Sequence, residues 1–74
     1  MKWKIIRNED NEIIRYELTE NIYIDRDLDN RLFGTYYTNS LVVNGETKRT
    51  ATKCSGYTLK DLKKLGEKYY NKEI

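Results

Sequence analysis

The chain has 74 residues, enough for one small domain with a modest core and short of what a deep, enclosed active site needs. It carries 14 Lys and Arg against 12 Asp and Glu, with one cysteine and no histidine. Those residues exclude the commonest general base, the Ser–His and Cys–His nucleophile pairs and an internal disulfide, and they favour a reducing compartment.

The start, MKWKIIRNED, has no apolar run of signal-peptide length, and no stretch approaches a membrane span. Lys2 to Arg7 reads as a strand with Trp3 and Ile5 on one face. Asn8 to Asn11 is a polar cluster with turn chemistry. Glu12 to Leu18 reads as a second strand, with Ile14, Tyr16 and Leu18 on one face and Ile13, Arg15 and Glu17 on the other. Ile6 and Ile13 are expected to make a small patch on the far side of this hairpin.

Thr19 to Asn21 is a turn, and Asn21 to Asp25 a short third strand with Ile22 and Ile24 inward. Asp25 to Asn30 reads as an acidic loop. Its Asp25, Asp27 and Asp29 begin like a calcium loop, but Asn30 stands where the glycine belongs and Tyr36 where the bidentate glutamate belongs, so no metal is expected.

Leu32 to Tyr37 is aromatic and β-forming, and Leu41 to Val43 continues it. Asn44-Gly45 then calls for a two-residue type I′ turn, and Glu46 to Cys54 returns. With Val43 opposite Glu46, Val42 falls by Thr47 and Leu41 by Lys48. Apolar residues then occur on both faces: Phe33, Tyr37 and Leu41 on one, Leu32, Tyr36 and Val42 on the other. Either a bulge near Asn39-Ser40 corrects this, or one face binds something. Cys54 reads as a small apolar group in the core.

Tyr57 to Tyr70 is the helix. Thr58 is its N-cap, Asp61 completes a capping box, and Tyr57 and Leu62 have hydrophobic-staple spacing. Leu59, Leu62, Leu65 and Tyr69 form one apolar stripe, and Lys60, Lys64 and Lys68 run down another face. Gly66 either admits a close neighbour or weakens the last turn, and the helix ends near Asn71. The fold class expected is α+β: a single domain over residues 1–74, with an antiparallel sheet of four to five strands and a C-terminal helix packed on one face.

Two groups of residues stand out as sites. Seven tyrosines include adjacent pairs, and one of Tyr36 and Tyr37 should point outward from a sheet covered on one side. With Asp25, Asp27 and Asp29 they make a candidate protein-binding surface on the open sheet face. The second group is basic: Lys48, Arg49 and Lys53 on the returning strand, with Lys60, Lys63, Lys64 and Lys68 on the helix. Residues 1–32 carry a net charge of −2 and residues 33–74 a net +4, so the second half presents a positive surface. Nothing in the sequence fixes catalytic residues or a cofactor, and a non-enzymatic protein is expected.

Residues 33–70, containing GTYYTNSLVVNGETKRTATK and YTLKDLKKLGEKYY, resemble the strand–strand–helix of integrase N-terminal and AP2-type DNA-binding domains. The resemblance implies a sheet that enters the major groove, with Tyr36, Lys48, Arg49 and Lys53 gripping DNA. In size and in its Lys, Asn, Ile and Tyr bias the whole chain is similar to short proteins of phages and mobile elements of low-GC bacteria, anti-CRISPR proteins among them. That likeness implies a monomer or homodimer in the host cytoplasm, away from membranes, that binds a host protein and inhibits or modulates it. DNA or RNA binding is the alternative, and a homo-oligomeric structural subunit the third.

Overall fold

The structure, a computed structural model, describes residues 2–31, 34–52 and 56–74, with residues 28–31 and 34–36 described by backbone alone. Five strands, β1 (Lys4–Arg7), β2 (Ile13–Thr19), β3 (Ile22–Arg31), β4 (Gly34–Val43) and β5 (Glu46–Ala51), precede one helix, α1 (Leu59–Tyr70). The strands pair antiparallel in chain order β1-β2-β3-β4-β5, and the fold is α+β.

Local chemistry sets the turns. In the first, the Asn8 side-chain oxygen accepts from the backbone N–H groups of Asp10 at 2.9 Å and Glu12 at 3.0 Å. In the second, the Thr19 hydroxyl accepts from the N–H groups of Asn21 and Ile22, both at 3.1 Å, closing a two-residue turn. Between β4 and β5 lies the expected Asn-Gly turn: Asn44 has φ 52° and Gly45 φ 82°, the paired positive values that a type I′ turn requires.

The helix begins as its sequence requires. The Asp61 backbone N–H donates to the Thr58 hydroxyl at 3.2 Å, and the Thr58 N–H donates back to the Asp61 carboxylate at 3.0 Å. It ends at Asn71, whose N–H donates to the Glu67 carbonyl. The apolar stripe packs across β3, β4 and β5. Leu62 is fully buried among Tyr16, Ile22, Ile24, Leu41, Val43 and Ala51, with Leu59, Leu65, Tyr57 and Tyr69 around it. Burying a leucine of this kind contributes about 2 kcal/mol before chain entropy is counted.

Four expectations are corrected. The acidic stretch Asp25 to Asn30 is strand, because β3 runs ten residues and pairs with β4 throughout: Asp25 faces Ser40 and Asp27 faces Thr38. Its composition has low intrinsic β-preference, and cross-strand pairing overrides that. The β4 register is continuous through Asn39-Ser40, and the bulge lies in β5, where Lys48 is the extra residue and Arg49 faces Leu41. Ile14 is the extra residue of a bulge against β1. The alternation in β2 shifts there, so that Ile13 packs toward the core while Ile14 is 41% exposed. The small apolar patch is therefore Ile6 with Ile14 rather than Ile6 with Ile13. Cys54 and Lys53, with Leu32 and Phe33, lie outside the described residues.

Candidate functional site

Alternation along the strands fixes what each sheet face carries. Tyr16, Ile24 and Leu41 are register partners and face the helix. The opposite face, open to solvent, carries the next row: Arg15, Asp25, Ser40 and Thr50 in one line, Glu17, Tyr23, Val42 and Thr47 in another. Its interactions are polar. The Arg15 Nε–H donates to Asp25 at 2.8 Å, the Arg15 guanidinium lies 3.9 Å from the centre of the Tyr23 ring, and the hydroxyls of Ser40 and Thr50 are 3.2 Å apart. Val42 is the buried apolar residue of this face, set between Tyr23 and Thr47.

Where β2 ends its pairing with β3 at Arg15–Asp25, the two strands part. An open cleft of about 530 Å³ forms there, lined by Ile6, Ile14, Arg15, Asp25, Arg26 and Asp27. Two isoleucines, two acids and two arginines thus converge at one notch. Arg15 neutralises Asp25, whereas Asp27 is exposed and makes no ion pair among the described residues.

Arg26 links the cleft to the helix side. Its guanidinium lies 3.8 Å from the Tyr37 ring centre and donates to the Tyr16 hydroxyl at 3.2 Å, while Lys63 Nζ sits 4.7 Å from the Tyr16 ring. Cation, ring, cation and ring form one chain of contacts from α1 to β4. Arg26 and Asn39 face each other in the register, yet the buried Arg26 Nε and the buried Asn39 Oδ1 have no hydrogen-bond partner. Each such group costs on the order of 1–3 kcal/mol.

The tyrosine-and-acid surface read from the sequence is therefore divided. Asp25 and Asp27 meet at the cleft on the open face, but Tyr37, 46% exposed, lies on the helix-bearing face beyond the helix. Asp29 and Tyr36 are register partners at the far end of β3 and β4, and their side chains lie outside the described residues. Ile6, Ile14, Arg15 and Arg26 were missed. The signal that finds them is a bulge, and bulges leave no residue-type signature.

The basic group lies on β5 and α1. Arg49 lies 4.5 Å from the centre of the Tyr57 ring, and Lys48 Nζ lies 5.7 Å from that of Tyr69 and 3.2 Å from Glu46. Both strand cations turn toward the helix side, where they meet the rings of Tyr57 and Tyr69, and Lys53 lies outside the described residues. Lys60, Lys64 and Lys68 are exposed on α1.

No protein-family model matches this chain, and comparisons with curated proteins and with solved structures gave no match. Among the described residues no cluster of three or more metal-ligating side chains occurs, and no helix is long and apolar enough to cross a membrane.

Proposed function

We propose that this is a non-enzymatic binding protein that docks a partner protein in the cleft between β2 and β3 and thereby inhibits or modulates it. The observation that carries this reading is the cleft's composition: Ile14, open to solvent, and the half-buried Ile6 stand beside the exposed Asp27 carboxylate, which makes no ion pair among the described residues. An apolar floor with a charged rim is how protein interfaces combine affinity with orientation. The partner segment that fits places an apolar side chain on Ile6 and Ile14 and a Lys or Arg on Asp27.

Two further features support it. Tyr37 and Arg26, the residue types that dominate interface energetics, stand next to the cleft as a stacked pair. The unsatisfied polar atoms of Arg26 and Asn39 lie on the same two strands, and local rules are most often broken where function demands it. The compositional likeness to mobile-element proteins makes a host enzyme that handles nucleic acid the first partner class to test.

The test is capture of a partner by wild-type protein and by Asp27→Lys and Ile14→Glu variants. Both positions are solvent-exposed, so folding should persist and the partner should be lost. Undiminished capture by both variants would remove the cleft from the interface.

A further inference from the structure

We infer that the flank formed by β5 and α1 is a second binding site, for single-stranded nucleic acid. The β5 bulge sets Arg49 opposite Leu41 on the helix side, where it meets the Tyr57 ring, and Lys48 reaches the Tyr69 ring beside it. On α1, Lys64 and Lys68 are one turn apart and frame a shallow hollow of about 200 Å³, whose lining is completed by Tyr57, Asp61 and Leu65. Strand cations and helix cations thus meet at Tyr57, which touches Arg49 and lines the hollow.

The acids on this flank, Asp61 and Glu46, offset only part of the charge of Lys48, Arg49, Lys64 and Lys68. Asp61 stays ionised, its carboxylate held by the Thr58 N–H and hydroxyl, each at 3.0 Å, with Lys64 and Lys60 adding to the effect. Glu46 holds Lys48 at 3.2 Å, but its side chain is 73% exposed, so the pair is screened by water and open to exchange for a phosphate. Among the described residues neither Lys64 nor Lys68 makes an ion pair. The cleft, by contrast, sets Asp25 and Asp27 against Arg15 and Arg26, so its charges balance.

Lysines grip phosphates as point charges without reading base edges, and aromatic surface beside them offers bases a place to rest. A duplex would offer phosphates to Lys64 and Lys68 but leave the hollow at Tyr57 and Leu65 unfilled. A single strand engages both.

The test is fluorescence anisotropy with a labelled single-stranded oligonucleotide of about 12 nucleotides, a length within known site sizes. Engagement of Lys48, Arg49, Lys64 and Lys68 predicts a slope of log affinity against log salt of about −2.8, or roughly a 50-fold loss between about 50 and 200 mM salt. The double variant Lys64→Ala/Lys68→Ala should halve that slope to about −1.4 with unchanged circular dichroism, since alanine suits an exposed helix position. Arg49→Ala alone should bring it to about −2.1. Tighter binding of the single strand than of a duplex or of inorganic polyphosphate supports the site. The inference is overturned by absent binding at low salt, by a slope unchanged in the variants, or by duplex or polyphosphate binding equally well.

Discussion

The indole of Trp3 occupies the space that a side chain at position 66 would fill. A Cβ built on Gly66 would lie 2.7 Å from Trp3 Cη2 and 3.2 Å from Leu41 Cδ1, so the helix approaches the sheet through a missing side chain. The Trp3 Nε1–H also donates to the Glu67 carboxylate at 3.0 Å, tying the residue before β1 to the last turns of α1 across nearly the whole sequence.

Gly66→Ala tests this contact. In an open helix the change would stabilise by about 1 kcal/mol. Here the new methyl must displace the indole, and such overpacking costs typically about 1–3 kcal/mol. The expected outcome is net destabilisation in urea melts, together with a shift in the emission of Trp3, the single tryptophan. Stabilisation with unchanged emission would mean that the indole does not rest on Gly66.

The capping box gives a pH-dependent prediction. The Thr58 backbone N–H, and after it the Thr58 hydroxyl, hold the Asp61 carboxyl below its ordinary value of 3.8, with Lys64 and Lys60 adding to the effect. A carboxyl lowered by folding contributes stability above its unfolded value and loses it as pH falls through the folded one. The stability gap between wild type and Asp61→Asn should therefore be constant near neutrality and close below about pH 4. Thr58→Ala should cost about 1 kcal/mol at pH 7. A gap that persists at pH 2 would show that the carboxylate is not what Asp61 contributes.

Asn39→Val should stabilise the protein by about 1 kcal/mol, because it removes a buried acceptor that has no donor and puts a β-branched side chain in a strand. Thermal melts monitored by circular dichroism decide this. A loss of stability would mean that Asn39 is satisfied in solution and that the β3–β4 ribbon is not strained at Arg26.

The features legible in the sequence are those whose causes lie within a few residues. Thr58 and Asp61 are three apart, Asn44 and Gly45 adjacent, and the stripe from Leu59 to Tyr69 repeats with the helix period. What was hidden depends on residues remote in the chain. Asp25 to Arg31 is strand because of its pairing with Gly34 to Ser40, and its own composition argues for a loop. The extra residues Ile14 and Lys48 have no distinguishing chemistry, yet one opens the cleft and the other turns the strand cations toward the helix. Tyr37 was expected beside the acids. Register parity puts it on the other face, where a diagonal cross-strand contact stacks it on Arg26.

The proposal that the cleft grips a partner protein stands or falls on capture of that partner. The most direct measurement is a tagged pull-down from a low-GC bacterial lysate, with and without nuclease, using wild type, Asp27→Lys, and Lys64→Ala/Lys68→Ala. The account predicts one stoichiometric protein that survives nuclease, is kept by the lysine variant and is lost with Asp27→Lys. A partner retained by Asp27→Lys, or one that disappears with nuclease, would contradict it.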